Sequence, residues 1–269
     1  MKRIFDIICS FFGLLALSPL LIPVMILVWV QDFHSPFYVA PRVGKDGRIF
    51  RMVKLRSMVA GADKTGVDST SADDSRITSV GRFIRKFKLD EFTQLWNVLK
   101  GDMSLVGPRP NVKRETDLYT DAEKGLLDIK PGITDFSSIV FSDENDILKD
   151  SEDPDIDYNQ LIRPWKSRLG LLYVRHQSFL LDCALVLLTV IAIVSRGKAL
   201  WGVNRLLMLL DAPADVIRVS KRENVLVPCP PPGADSVVTS RSADYIHRLR
   251  RLTQIKEQTI STDYADYTD

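Results

Sequence analysis

The feature that most constrains this chain is residues 4–30, IFDIICSFFGLLALSPLLIPVMILVWV, a 27-residue stretch whose only charged residue is Asp6. As a straight helix it reaches about 40 Å, against roughly 30 Å for a bilayer's hydrocarbon core. No small-residue cleavage site follows, and the run is too long for a signal peptide, so it attaches the chain to a membrane. Ser18-Pro19 falls near its middle and Pro23 one turn later. Each proline removes an amide donor and clashes with the preceding turn, which kinks a helix. The Ser18 hydroxyl can bond back to a freed carbonyl where no water is at hand. Cations flank both sides, Lys2 and Arg3 before and Arg42, Lys45, Arg48 and Arg51 after, so the positive-inside rule selects no spanning orientation. A helix that enters and returns, with both ends on the cytoplasmic face, satisfies both observations; a proline-kinked span is the alternative.

Composition closes off other classes. With 36 Lys+Arg against 34 Asp+Glu the net charge is +2, and no imbalance points to nucleic acid. Cys9, Cys183 and Cys229 lie far apart with no CxxC pair, which suits a reducing, cytosolic working part rather than a disulfide framework or zinc site. His34, His176 and His247 have no partner at metal spacing, which argues against a histidine metal site or a Ser–His–Asp triad.

Next, PRVGKDGRIFRMVKLRSM (41–58) reads as a β-hairpin, with Gly44-Lys45-Asp46-Gly47 as the turn and 48–56 as the returning strand. On that strand Phe50, Met52, Lys54 and Arg56 share a face. Lys54 and Arg56 then either hold one multiply charged anion or form a solvated basic strand. Residues 61–76 are small, polar and aperiodic, as in a mobile loop. RITSVGRFIRKFK (76–88) is helical in pattern and crowds Arg82, Arg85, Lys86 and Lys88 just ahead of two acids. Such a cluster suits anionic lipid or a phosphate site.

Those acids open the most informative block, KLDEFTQLWNVLKGDMSLVGPRP (88–110). Phe92, Leu95, Trp96 and Leu99 recur at helical spacing as an apolar face, with Asp90, Thr93, Gln94 and Asn97 as the opposing polar stripe. Two explanations fit Asp90 and Glu91 at a helix start. One is an N-cap beside a second, favourably placed acid. The other is an ionised nucleophile, or a pair of Mg2+ ligands, among phosphates held at the helix N-terminus. Arg109, between Pro108 and Pro110, has a restricted backbone and a guanidinium that matches phosphate as a fork. Two acids, a divalent metal and several cations describe phosphoryl transfer better than acid–base work on a neutral bond.

Five blocks now carry a resemblance: KLRSM (54–58), RITSVGRFIRK (76–86), LDEFTQLWNVLKGDMSLVGPRP (89–110), KPGIT (130–134) and RLGLLYVRHQSFLLDCALVLLT (168–189). In this order, behind an apolar segment with a Ser-Pro break, they resemble the bacterial sugar transferase family of monotopic polyprenyl-phosphate phosphoglycosyl transferases. The resemblance covers about residues 1–200. It implies an α+β, predominantly helical fold: a re-entrant membrane helix broken at Ser18-Pro19, a small β-hairpin, and amphipathic membrane-surface helices around a cytosolic active site. The implied organisation is a membrane helix over 1–35, a catalytic domain over 36–205 and a C-terminal extension over 206–269.

The resemblance also implies roles. Asp90 attacks the β-phosphate of a nucleotide sugar, a UDP-sugar in the family expectation, releasing the nucleoside monophosphate and keeping a phosphosugar. Polyprenyl (undecaprenyl) phosphate then takes that group. Glu91 supports Mg2+ binding with Asp90, or the second step, while Lys54, Arg85 and Arg109 bind phosphate. The implied setting is the lipid of the bacterial inner membrane, with the active site on the cytoplasmic face. Exopolysaccharide, capsule or O-antigen is the destination, and a homodimer is left open. A scaffold with a decayed site is a rival reading that the intact Asp90, Glu91, Lys54, Arg85 and Arg109 oppose. A metal-dependent phosphohydrolase leaves the membrane helix without purpose.

Four positions depart from the family pattern. The usual LDELPQ is here Leu89-Asp90-Glu91-Phe92-Thr93-Gln94, so Thr93 replaces a proline and a looser helix entry is expected. Lys88 replaces a small hydroxyl residue, Ser75 a proline, and Asp135 the glycine after PGIT, a change that bears on substrate preference.

FLLDCALVLLTVIAIV (179–194) is short for a span and flanked by Arg175, Arg196 and Lys198, so it reads as a buried or membrane-surface helix, with a second span as the alternative. ENVLVPCPPPGADS (223–236) is a proline-rich strap or linker, 243–258 a helix, and the acidic end loose.

Overall fold

The computed structural model describes residues 1–62, 74–149 and 151–239. Helix α1 covers Lys2–Val30 with Pro19 and Pro23 inside it. Proline at 19 cannot donate to the Leu15 carbonyl, and the Ser18 hydroxyl does so instead at 2.7 Å. One stripe of α1, Asp6, Ser10, Leu21, Val24 and Val28, is buried against the body. Phe11, Phe12, Leu15, Ile22 and Ile26 are exposed on the rest of its surface. Asp6 is the charge in the apolar segment, and it is satisfied: its carboxylate accepts from Ser104 Oγ at 2.9 Å and from the Leu105 amide at 3.1 Å.

Strands β1 (Phe37–Val43) and β2 (Ile49–Leu55) form the expected hairpin, with Tyr38 opposite Lys54, Ala40 opposite Met52 and Arg42 opposite Phe50. Then come α2 (Ser79–Lys86), α3 (Leu89–Phe92) and α4 (Leu95–Lys100). Strand β3 (Ser104–Val106) precedes α5 (Lys113–Thr116) and α6 (Asp121–Lys124), and pairs in parallel with β4 (Gly132–Thr134). Three-residue strands leave no periodicity to read, which is why this pair was not anticipated. The rest is helical: α7 (Phe136–Val140), α8 (Glu144–Ile147), α9 (Pro154–Asp157), a π-helical turn (Tyr158–Ile162), α10 (Arg163–His176), α11 (Phe179–Val194), α12 (Arg196–Leu209) and α13 (Ala214–Ser220). The fold is thus predominantly helical with a small antiparallel hairpin, as expected.

The main core joins Met52 of β2, Val98 of α4, Phe136 and Ile139 of α7, Tyr173 of α10, Leu185 of α11 and Leu207 of α12. A second cluster, Val24, Val28, Leu55, Ile84 and Leu89, joins the end of α1 to β2, α2 and α3. It fixes the platform on which the acids sit.

Several expectations need correction. The helix after the acids is two short helices, and its polar stripe faces inward: Thr93, Gln94 and Asn97 are buried while Trp96 is 56% exposed. Asn97 explains the inversion. Its side chain accepts from the Val53 amide at 2.9 Å and donates to the Arg51 carbonyl at 2.7 Å, covering the free edge of β2. Thr93 tightens rather than loosens the entry, because its hydroxyl reaches the Val53 and Asp90 carbonyls at 3.3 and 3.1 Å. Asp135 is not a substrate-facing departure. It is 1% exposed and caps α7, accepting from the Ser138 amide at 2.7 Å and from the Ser137 hydroxyl.

Helix α11 lies against the body, and both its polar residues face inward. Asp182 pairs with Lys2 at 2.7 Å and accepts from the Tyr173 hydroxyl at 2.5 Å, while Thr189 meets Thr134 at 2.6 Å. The proline-rich strap docks on the body through the Thr120 hydroxyl to the Pro232 carbonyl and Arg168 to the Pro230 carbonyl. Most of the 61–76 loop and the helix read at 243–258 lie outside the described residues.

Candidate active site

Lys88 occupies the N-cap position of α3 in the left-handed region, φ 53°, so Asp90 is the second residue of that helix and not its cap. The capping explanation for Asp90 is thereby removed. Three further elements bring cations to it. On β2 the alternation that buries Met52 in the core sends Lys54 the same way, and its Nζ stands 4.0 Å from Asp90 Oδ2. Helix α2 sits directly on the Ser57 carbonyl: a Cβ on Gly81 would come 1.8 Å from that oxygen. This close seat carries Arg85 to Ser57 Oγ, to which it donates at 2.9 Å, and within electrostatic range of Asp90. The loop after β3 presents Arg109 between buried Pro108 and Pro110, held by the Gly107 amide to the Thr134 carbonyl and the Gly132 amide to the Pro108 carbonyl, both 2.9 Å. From there Arg109 Nη2 donates to Glu91 Oε1 at 2.9 Å.

The two acids are driven apart electrostatically. Burial pushes the Asp90 carboxyl above its ordinary value, with Lys54 opposing and the Glu91 charge reinforcing. Burial would also raise Glu91, but Arg109 and Lys54 together outweigh it and hold Glu91 at about 2. Burial, then Arg109, lowers the Lys54 ammonium, and burial lowers Arg85. Glu91 holds Arg109 firmly protonated. The result is one fixed counter-ion for Arg109 and one acid of raised basicity among cations.

Asp90, Glu91, Lys54, Arg85 and Arg109 therefore come together. Ser18 and Pro19 stand in the middle of α1. Arg56 does not join Lys54: β2 ends at Leu55, and the Arg56 side chain turns to Asp32 at the end of α1. Arg42 was missed as a site residue. The register puts it on the hairpin face that carries Lys54, within electrostatic range of Lys54 and Arg109. The Gly44–Gly47 turn was the available signal, since a hairpin's turn sets its cross-strand partners.

The chemistry of the donor set can be tested for Mg2+. Among the described residues there is no group of three or more His, Cys, Asp and Glu suited to a metal. Mg2+ does not need one: it commonly takes one or two carboxylates, completing its shell with water and substrate phosphates. Asp90 and Glu91 meet that requirement.

A model of the bacterial sugar transferases matches residues 1–196 of this sequence. The chain belongs to the bacterial sugar transferase family. Among its relatives in the family, the undecaprenyl-phosphate galactose phosphotransferase of Salmonella typhimurium is 41% identical over 169 residues, covering 56% of this chain and 34% of that protein. The exopolysaccharide production protein ExoY of Sinorhizobium fredii is 34% identical over 215 residues, 73% of this chain and 87% of that protein. The UDP-N-acetylgalactosamine-undecaprenyl-phosphate N-acetylgalactosaminephosphotransferase of Aeromonas hydrophila is 36% identical over 143 residues, 52% of this chain and 34% of that protein. The chain thus spans about a third of the Salmonella and Aeromonas relatives and most of ExoY.

Proposed function

We propose that this protein moves a phosphosugar from a UDP-sugar to undecaprenyl phosphate through a covalent intermediate on Asp90, as the first membrane step of surface polysaccharide or O-antigen assembly. The carrying observation is the split pair: a carboxylate of raised basicity set among Lys54, Arg85 and Arg109, beside an acid already committed to Arg109. Asp90 Oδ attacks the β-phosphorus, the bond from that phosphorus to the bridging oxygen breaks, and UMP departs with that oxygen. An oxygen of undecaprenyl phosphate then attacks the same phosphorus, and the Asp90 carboxylate leaves. The cations hold the diphosphate and oppose charge building on the departing oxygens. Glu91 keeps Arg109 aimed. Mg2+ bound by Asp90 and Glu91 would supply further charge neutralisation on the diphosphate.

The lipid acceptor calls for a membrane, and α1 supports a re-entrant seat in the cytoplasmic face of the inner membrane. Both ends of α1 are tied to the one body, Lys2 to Asp182 and the Val28 carbonyl to Arg56. A helix spanning the bilayer would carry its ends about 30 Å apart in depth to opposite faces. Exposed Phe83, Phe87, Trp96 and Trp201 on α2, α4 and α12 add apolar and aromatic surface suited to the interface. The test is UMP release from a panel of UDP-sugars by the detergent-solubilised full chain, with and without undecaprenyl phosphate. Formation of undecaprenyl-diphosphate sugar supports the proposal; failure with every donor refutes it.

A further inference from the structure

Arg109 also faces a set of polar groups that the transfer step leaves unused. Glu144 on α8 and Tyr158 on the π-helical turn are within its electrostatic range. Lys166 on α10 pairs with Glu144 and stands 5.4 Å from the centre of the Tyr158 ring. The Val43 amide donates to the Asn111 carbonyl at 2.9 Å, fixing β1 against the Arg109 loop. Helix α5 packs on β1 and brings Glu115 within range of Arg42 and Lys166.

Two members of this cluster are left over. Among the described residues neither the Glu115 carboxylate nor the Tyr158 hydroxyl has a hydrogen-bond partner, although both side chains are partly buried. Partly buried polar groups in that state have hydrogen-bonding capacity open to water or to a bound ligand. The surroundings say which kind. Every exposed large apolar side chain among the described residues lies at or before Trp96, or from Phe179 onward. The segment between, which carries Arg109, Glu115, Glu144, Tyr158 and Lys166, therefore turns to water and not to lipid.

We propose that Glu115 and Tyr158, with the Glu144–Lys166 pair beside them, form the subsite for the sugar ring of the donor. This rests on the UDP-sugar reading above. Ring hydroxyls both donate and accept, which matches a carboxylate beside a phenol. A nucleobase needs a free aromatic face, and Lys166 already stands over that of Tyr158. The sugar is joined through one oxygen to the phosphorus that Asp90 attacks, so its ring lies beside Arg109, where Glu144 and Tyr158 stand with Glu115 in range of Tyr158.

The test uses the full chain carrying Asp90→Asn, so that bound donor is not consumed. Titration calorimetry with UDP-galactose, UDP-glucose and UDP-N-acetylgalactosamine is compared with UDP alone. Adding Glu115→Gln or Tyr158→Phe should weaken the best-bound UDP-sugar about tenfold and leave UDP within about twofold. Equal weakening of UDP and UDP-sugar would assign the cluster to the nucleotide, and no weakening, or no binding of any UDP-sugar, would remove the subsite. The two proposals fail separately. Wild-type chain that binds UDP-sugars but releases no UMP refutes the transfer and spares the subsite; turnover with donor affinity unchanged by Glu115→Gln does the reverse.

Discussion

Arg56 holds Asp32 through both arms of its guanidinium, Nη1 to Oδ2 at 2.5 Å and Nη2 to Oδ1 at 2.7 Å, while Nη2 also donates to the Val28 carbonyl at 3.3 Å. The side chain is thereby a clasp between the end of α1 and the end of β2. It holds Asp32 near 2, so the pair stays ionised throughout the physiological range. At the other end of α1, Lys2 closes a similar contact with Asp182.

These two contacts predict the topology. In a chain with Cys9, Cys183 and Cys229 replaced, a cysteine appended ahead of Met1 and another at Ser35→Cys should both resist an impermeant thiol reagent applied to whole cells. Both should react in inverted vesicles. Labelling of just one from outside would mean that α1 crosses the membrane.

Asn97 is fully buried and joins α4 to both the Val53 amide and the Arg51 carbonyl. Asn97→Ala leaves two backbone groups unsatisfied and opens a small cavity, a loss of about 2–4 kcal/mol. The check is thermal unfolding in detergent, with donor turnover falling in parallel because β2 carries Lys54. An unchanged melting temperature would remove Asn97 from this role.

Much of this arrangement was legible in the sequence, and the failures have a common physical source. Spacing identifies which residues share a face; it does not say which face is inside. In the 92–99 helix the spacing separated an apolar face from a polar stripe, and of these Trp96 points out while Leu95, Thr93, Gln94 and Asn97 point in. A protein with lipid on one side can expose tryptophan, and buried amides can be satisfied by a strand edge. The hairpin was readable from its glycine-marked turn, and the residues that gather around Asp90 were picked out by the family resemblance rather than by spacing. Both readings offered for Arg56, a shared anion or a solvated basic strand, missed its partner Asp32, which lies 24 positions away. Glu115 and Tyr158 gave no signal for the same reason: they stand on a short helix and a π-helical turn, separate segments that sequence spacing does not connect.

The divided acids set the pH dependence. In the proposed mechanism Asp90 must be ionised to attack, and its carboxyl titrates above the ordinary value while Glu91 stays charged down to about 2. The rate of UMP release in a single turnover should therefore fall as pH drops through the raised Asp90 value. Glu91 contributes to that rise, so Glu91→Gln should shift the acid limb to lower pH; Lys54 opposes it, so Lys54→Met should shift the limb upward. A limb that neither substitution moves would belong to some other group.

Arg109→Lys keeps the charge and loses the fork that holds Glu91 and, in the proposed mechanism, a phosphate as well. Turnover should fall by about 10- to 100-fold, with unfolding little changed because the side chain is 42% exposed. Near-normal kinetics would take Arg109 out of the site.

The central claim is the bond to Asp90, and peptide mass spectrometry tests it most directly. The full chain is incubated with the UDP-sugar it turns over, in the absence of undecaprenyl phosphate, and then digested. The account predicts one added phosphosugar, of the donor's own sugar, on the peptide containing Asp90, stoichiometric UMP, loss of both in Asp90→Asn, and discharge of the adduct when undecaprenyl phosphate is added. Turnover that requires both substrates at once, with no adduct at any time and with activity surviving in Asp90→Asn, would contradict it.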